Sequence, residues 1–259
     1  MKSNLSQIKS KNFLNKKIIF RCDGGNINEI GTGHVYRCLA IANFFLKKKI
    51  KKKNILFITK NKNCFKIGSD LIKNEGYKSY SPNKNNKLDK KVEIDTLNNF
   101  ESELLIIDRL DNLKKNEILS LRKKHKKIIL IDSSSKYIKL ADLNLNPLIK
   151  NNYSDRNFGI KYLILPQENN LNKKIKKNKI FLFFGGYDKK KIFSKIVKSL
   201  NKFNFNLKIC IEKKHIKNLK KYKNLSFNLI NKKNFLSNLR SSKFAIISGG
   251  LILFLCLKY

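Results

Sequence analysis

The chain has 259 residues, and its 58 lysines and arginines against 18 aspartates and glutamates give a formal net charge of +40. A hydrophobic content of 41% is enough for a packed core, which excludes a wholly disordered chain. No run approaches the roughly 20 consecutive apolar residues of a membrane-spanning helix, so an integral membrane protein of that kind is excluded too. The basic N-terminal segment lacks the apolar stretch of a signal peptide, and we therefore expect a cytoplasmic protein.

The excess of lysine is spread along the whole chain. Asparagine and isoleucine are also abundant, and because they share A/T-rich codons with lysine, the charge fits compositional drift. Proteins that bind nucleic acids more often concentrate arginine and aromatic residues on one face, and no motif of that class occurs. We therefore expect no specific nucleic-acid partner, while weak binding of polyanions stays open.

The five cysteines are scattered and include no CxxC pair. This pattern indicates neither a disulfide framework nor a thiolate zinc site. We expect no metal and no cofactor, and we expect Cys22 and Cys38 to be buried packing thiols.

Short apolar runs alternate with segments of helical periodicity. The predicted strands centre on Ile18, Leu56, Ile106, Leu130, Leu182, Ile209, Phe227 and Ile247. The predicted helices cover residues 35–47, 113–124, 189–202 and 234–241, and residues 251–259 would open another. Continuous Ile, Leu and Phe runs are typical of strands buried on both faces, and alternating strands and helices favour parallel sheets. The predicted fold class is α/β.

One polar stretch, residues 166–178, is rich in Asn and Lys and interrupts this alternation. It is typical of a linker between two Rossmann-like domains, residues 1–165 and 179–259, although a long surface loop within one domain is the alternative. The second domain is predicted to be incomplete, because only nine residues follow Gly250.

The first glycine-rich turn spans Asp23 to Cys38 and reads DGGNINEIGTGHVYRC. Gly31 and Gly33 bracket Thr32, and His34 opens the predicted helix that follows. Backbone N–H groups at a helix start favour negative charge, and open α/β sheets bind ligands at the carboxyl ends of their strands. His34 is therefore a candidate general base. The alternative is a histidine that merely caps or packs the helix.

Two further turns, FFGGYD at Phe183 to Asp188 and ISGG at Ile247 to Gly250, also follow apolar strands. Both fit turns that cradle phosphate groups, and simple chain reversal is the alternative. The GxGxxG and GxxxxGK[ST] nucleotide-binding patterns are absent.

The run from Asp23 to Ala42, with GTGHVYRCLAIA at its centre, resembles the opening motif of a known family. This is the pseudaminic-acid-pathway family of UDP-sugar hydrolases, which cleave UDP-2,4-diacetamido-2,4,6-trideoxy-β-L-altropyranose and share the GT-B, MurG-like fold. The similarity continues in the family's order through Asp108, Asp132, Asp142, Asn146, the FFGGYD turn and the ISGG turn.

The resemblance implies a function in nonulosonic-acid biosynthesis. His34 occupies the position of the family's catalytic histidine and would activate a water that attacks the anomeric carbon and releases UDP. Residues around the first turn and the nearby strand end would contact the sugar: Asp23, Gly31, Gly33, Arg37 and Asp108. Residues of the later turns would bind the nucleotide and its diphosphate: Gly185, Gly186, Ser248, Gly249 and Gly250. We expect a monomer.

Two positions depart from the family pattern. Ile252 stands where relatives carry Thr, and Leu255 stands where they carry the Glu that holds the ribose. Two alternative functions therefore stay open. One is glycosyl transfer, in which His34 would activate an acceptor hydroxyl, and the other is an inactive remnant or basic polyanion-binding protein.

The remaining polar candidates have competing interpretations. Asp108 and Asp132 end predicted strands, where a carboxylate either contacts substrate or caps the next loop. Arg37 either reaches an anion or is solvated. We expect His125 and His215, in lysine-rich surroundings, to be exposed surface residues.

Overall fold

The computed structural model describes residues 17–25, 30–61, 63–81, 90–109, 112–147, 157–165, 177–184, 192–202, 208–212, 215, 219, 222, 225–231 and 234–258. The chain forms two compact units, the first containing the described residues 17–25 and 32–165 and the second containing those from 177 onward. Most of the predicted linker lies outside the described residues, so the predicted domain boundaries stay a prediction.

The first unit contains a six-stranded parallel sheet. Its strands are β1 (Ile18–Cys22), β2 (Ile55–Ile58), β3 (Lys78–Tyr80), β4 (Leu104–Asp108), β5 (Ile128–Ile131) and β6 (Leu143–Leu145). They lie in the order β3-β2-β1-β4-β5-β6, and every neighbouring pair is parallel. The chain thus reverses its direction of winding between β1 and β4, which is where sheets of this order bind ligands.

Four helices cover this sheet: α1 (Gly33–Lys47), α2 (Lys66–Asn74), α3 (Lys90–Asn98) and α4 (Lys115–Arg122). Successive side chains of a strand point to opposite faces. Accordingly Ile18 and Phe20 join one apolar cluster with residues of α1 and α2, while Ile19 joins another with residues of α3 and α4. All five β1 residues are buried, which confirms the prediction of a strand buried on both faces.

The second unit contains a four-stranded parallel sheet. Its strands are β7 (Lys177–Phe183), β8 (Lys208–Glu212), β9 (Ser226–Ile230) and β10 (Ser242–Ile247), in the order β10-β7-β8-β9. The helices are α5 (Ile192–Leu200), α6 (Phe235–Ser241) and α7 (Leu251–Lys258). This order repeats that of β4-β1-β2-β3 in the first unit, so both units are Rossmann-like.

The prediction that every apolar run is buried on both faces is wrong for β9 and β10. Both lie at the ends of the four-strand order, and Phe244 in the middle of β10 is 53% exposed. An outer strand has one neighbour instead of two, so its side chains keep more contact with water.

Among the described residues, no helix has both the length and the apolar character needed to cross a bilayer.

Candidate active site

The candidate site lies at the carboxyl ends of β1, β4 and β5, where the first sheet reverses its winding. Helix α1 starts after β1 and presents His34 and Arg37 from its first turns toward Asp108, the last residue of β4. The structure therefore brings together three of the residues that the sequence singled out. It does so through contacts between residues more than 70 positions apart.

His34 and Asp108 form a close pair. The imidazole Nδ1 lies 2.7 Å from Oδ1 of Asp108, with the His34 side chain 16% exposed and the carboxylate fully buried. Burial by itself would raise the pKa of Asp108, but the hydrogen bond from His34 and the Arg37 charge outweigh it, so this pKa lies below the ordinary value. Because an ionised carboxylate has no proton to donate, Nδ1 must carry the hydrogen. The neutral ring then keeps its lone pair on Nε2, as a general base requires.

Arg37 connects Asp108 to a second carboxylate. Its Nε and Nη2 atoms donate to the two Asp108 oxygens at 2.6 and 2.5 Å, and Nη1 donates to Oδ2 of Asp132 at 2.5 Å. Burial disfavours the charged guanidinium, yet the two carboxylates raise the pKa of Arg37 above its usual range. The interpretation of Arg37 as a solvated arginine is wrong, because it is only 2% exposed.

Asp132 reaches this cluster from the residue that follows β5. Its φ of +49° lies in the left-handed region, and its N–H donates to the Leu145 carbonyl at 2.8 Å. Together Asp108, Asp132 and Arg37 carry two negative charges and one positive charge, a formal sum of −1.

Cys22 and Cys38 lie beneath the pair and are both buried, as predicted. The Cys38 Sγ lies 3.8 Å from Oδ2 of Asp108. Burial, together with the neighbouring Cys22 thiol, raises the pKa of Cys38 well above its usual value. A thiol in these surroundings stays protonated and packs rather than reacts.

Asp23, a predicted sugar contact, belongs to a separate buried network. Both of its oxygens accept from Arg21 at 2.7 and 2.8 Å, and the Lys60 N–H donates to Oδ1 at 2.9 Å. Arg21 also donates to both oxygens of Glu93, which in turn pairs with Arg109. Burial opposes ionisation of Asp23, but Arg21 outweighs it and lowers the pKa of Asp23.

Sequence reasoning missed this network. The available signal was Arg21 itself, a charged residue inside an otherwise apolar run that predicts a fully buried strand. Buried charges are retained only when they are paired, so an arginine in that position predicts carboxylate partners without identifying them.

Gly31 and Gly33 do not serve close packing among the described residues, since a Cβ added at either would meet no atom within 4 Å. Gly24 and Gly68 do. A Cβ on Gly24 would lie 2.7 Å from Cγ2 of Val35, and one on Gly68 would lie 2.5 Å from the Gly24 carbonyl oxygen. The turn after β1 therefore packs backbone against backbone on α2, a contact that the sequence analysis did not foresee.

In the second unit, Ser248, Gly249 and Gly250 form the turn between β10 and α7, as predicted. The Ser248 N–H donates to the Phe183 carbonyl at 3.1 Å, which joins this turn to the end of β7. Gly250 has φ +91°, a conformation that favours glycine. Gly185 and Gly186 lie outside the described residues, so their predicted role stays a prediction. Ile252 and Leu255 are both buried.

The other two histidines are not exposed surface residues, and that prediction is wrong. His125 is buried at 1% exposure, with Nδ1 2.7 Å from the Ser102 hydroxyl. His215 stacks on Phe193 with ring centroids 3.8 Å apart. Lysine-rich neighbours in sequence indicated solvent, whereas the fold places His125 against Ser102 and His215 against Phe193. Within the described residues, no group of three or more His, Cys, Asp or Glu side chains has the arrangement of a metal site.

Comparison with known proteins identifies the fold. No family model matches the chain. The crystal structure of MurG from Acinetobacter baumannii is similar with a TM-score of 0.56 and 11% identity, over 92% of this chain and 74% of that one. The chain has a MurG-like GT-B fold. This confirms the predicted fold class of two Rossmann-like units with parallel sheets. The second unit is the smaller, and its predicted incompleteness stays a prediction.

A relative found by sequence comparison does not indicate a function for this chain. The uncharacterized protein MJ1062 of Methanocaldococcus jannaschii is 30% identical over 209 residues, which are 69% of this chain and 40% of that protein. The chain therefore spans about 40% of the length of the curated relative it matches.

Proposed function

We propose that the chain belongs to an enzyme that hydrolyses a UDP-activated deoxy-diacetamido sugar at its C1–O bond, with His34 as general base. The observation that carries the proposal is the His34–Asp108 pair at the winding reversal of the first sheet. The MurG-like fold supports a nucleotide-sugar substrate, and the resemblance of the first glycine-rich turn supports hydrolysis and a place in pseudaminic-type acid synthesis.

The proposed step uses one proton transfer and one displacement. Nε2 of His34 takes a proton from water as the water oxygen bonds to the anomeric carbon. The bond from that carbon to the UDP oxygen breaks, and UDP leaves with the electron pair. Asp108 holds Nδ1–H and stabilises the imidazolium as it forms. A positioned base of this kind contributes roughly 10²–10⁴ in rate.

We assign the other predicted site residues different roles according to the contacts that they make. Asp108 and Arg37 are engaged with each other and with His34, so we assign them a positioning role instead of the predicted sugar contact. Asp23 is likewise held by Arg21, and we propose that it fixes the turn that carries Gly31 and Gly33. We propose that Gly185, Gly186 and Ser248 to Gly250 bind the UDP diphosphate. Location in the cytoplasm and a monomeric state stay predictions from the sequence.

Glycosyl transfer is the second candidate, favoured by the likeness to MurG. The same Nε2 lone pair would deprotonate an acceptor hydroxyl in place of water. An inactive remnant or polyanion-binding protein is the third, favoured by the buried apolar Leu255 where a ribose-binding carboxylate was expected.

Incubation of the protein with UDP-2,4-diacetamido sugars, with and without acceptor alcohols, tests the proposal. We expect free sugar and UDP without any acceptor. In His34→Asn the amide can still donate to Asp108 but lacks a basic nitrogen, so kcat should fall by roughly 10²–10⁴. His215→Asn, the same substitution in the second unit, should keep near-wild-type kcat. Products that form only with acceptor would favour transfer, and no reaction under either condition would favour the remnant.

A further inference from the structure

We propose that Asp132 is a positioning residue of the site and acts on His34 through Arg37. The inference rests on the proposed function of His34 as a base. Asp132 accepts from Nη1 of Arg37, and Nη2 of the same guanidinium lies beside the imidazole, so we argue its effect on chemistry through Arg37.

The geometry shows why an anchor is needed. His34 Nδ1 and Arg37 Nη2 both donate to the same oxygen, Oδ1 of Asp108, at 2.7 and 2.5 Å. The two donors lie only 3.4 Å from each other. Asp132 holds the far end of the guanidinium through Nη1. This third contact limits how far the guanidinium can turn toward Oδ1 of Asp108. Without it, Arg37 can displace the imidazole from that oxygen.

The backbone of Asp132 supports this role. Non-glycine residues adopt positive φ uncommonly, and such conformations persist where the surrounding structure holds them in place. Here the Asp132 N–H is tied to the Leu145 carbonyl at 2.8 Å, at the end of the adjacent strand β6. The left-handed turn ends β5 and directs the carboxylate toward α1.

The test compares Asp132→Asn with Asp142→Asn. Asparagine tolerates left-handed backbone, so the first variant removes the charge and keeps the turn. Asp142 makes ion pairs with Arg122 and Lys127 before β6 and does not contact the His34 cluster. Two readouts are taken, kcat together with KM, and ¹⁵N NMR of the imidazole nitrogens. The NMR spectrum is tractable because the chain has 3 histidines.

In wild type and Asp142→Asn we expect neutral His34 to carry its proton on Nδ1. In Asp132→Asn we expect signal from the Nε2–H tautomer and a tenfold or larger loss of kcat with KM little changed. Arg37→Lys, which keeps a charge but cannot bridge two carboxylates, should show the same change of tautomer.

An unchanged His34 tautomer in Asp132→Asn would overturn the proposal, even if kcat fell. If Asp132→Asn does not fold, Asp132→Gly keeps the backbone conformation and serves in its place under the same criteria. The NMR arm needs no substrate, so it decides the role of Asp132 even where wild type proves inactive and the hydrolase proposal fails.

Discussion

Asp108 is the residue that the other side chains of the candidate site contact. It is fully buried and accepts from the imidazole of His34 and from two nitrogens of Arg37, with the Cys38 thiol beside it. Each of these groups carries a hydrogen that it can donate, so the carboxylate stays ionised in spite of its burial. That ionisation determines which nitrogen of His34 is available as a base.

At the same scale, the burial of His125 leads to a prediction about how the free energy of unfolding depends on pH. Burial lowers the pKa of His125 from 6.5 to about 4, although the Leu97 backbone carbonyl and the Glu101 charge oppose the shift. Between these pH values the unfolded chain binds a proton that the folded chain does not. The free energy of unfolding therefore falls as pH drops from about 6.5 to 4, by up to about 3 kcal/mol from this residue.

Urea unfolding at pH 7, 5.5 and 4 measures this effect. We expect wild type to lose about 3 kcal/mol more than His125→Gln across that interval, since every other titrating group is common to both proteins. Parallel pH curves for wild type and His125→Gln would show that His125 does not couple folding to protonation.

The sequence was sufficient to single out His34 as a candidate because its glycine-rich turn is a local pattern. It could not decide between a solvated Arg37 and a bound one. The partners of Arg37 lie 71 and 95 positions away, on β4 and after β5, and no local pattern encodes that approach. The same limit applies to Glu93, which meets Arg21 only through the packing of α3 on the sheet.

At the scale of elements, the contact between the turn after β1 and helix α2 is tight enough to predict a mutation. A Cβ on Gly68 would lie 2.5–2.8 Å from the O, Cα and N atoms of Gly24, and backbone atoms cannot move aside as a side chain can. Gly68→Ala should therefore separate α2 from the turn. We expect a net loss of about 1–2 kcal/mol after the helix-propensity gain of alanine, together with reduced kcat.

Thermal or urea unfolding of Gly68→Ala beside Ser69→Ala measures the effect at adjacent positions of one helix. The Ser69 Oγ is buried and has no hydrogen-bond partner among the described residues, so its removal should be close to neutral. Equal stability and activity in Gly68→Ala and wild type would contradict this prediction, because the turn and α2 could then move apart without loss of free energy of unfolding.

Strands and helices with strong apolar patterns were predictable, and short polar ones were not. The eight predicted strands are present, whereas β3 (Lys78–Tyr80) and β6 (Leu143–Leu145) were missed. β3 is mostly exposed, and β6 has Asn144 at its centre, so neither shows a continuous apolar run. These two strands lie at the two edges of the sheet. Each forms by backbone pairing with one neighbouring strand, and such pairing leaves no apolar pattern in the sequence. Helices α2 and α3, of nine residues each, were missed as well.

For the whole molecule, the proposed function leads to a prediction about ligand binding. A ligand that binds only the folded state raises the midpoint of thermal unfolding, and at about 100 times its Kd it contributes about 2.7 kcal/mol. We expect millimolar UDP to raise the melting temperature of the protein. UMP, which lacks the second phosphate, should raise it less.

The net charge of +40 sets the control for that experiment. A chain so basic attracts polyanions without a specific site, and such attraction weakens as salt screens it. The UDP shift should persist at about 0.5 M salt, whereas inorganic pyrophosphate should lose its effect there. No shift with UDP, or one that pyrophosphate reproduces at every salt concentration, would contradict a nucleotide site.

The most direct measurement for the central claim is the fate of solvent oxygen when the protein is incubated with the proposed UDP-sugar in H₂¹⁸O. If Nε2 of His34 delivers water to the anomeric carbon, the C1–O bond breaks and the ¹⁸O enters the sugar. The UDP released should then contain no ¹⁸O, and the rate should fall by roughly 10²–10⁴ in His34→Asn. Incorporation of ¹⁸O into the UDP phosphate, or an unchanged rate in His34→Asn, would contradict it.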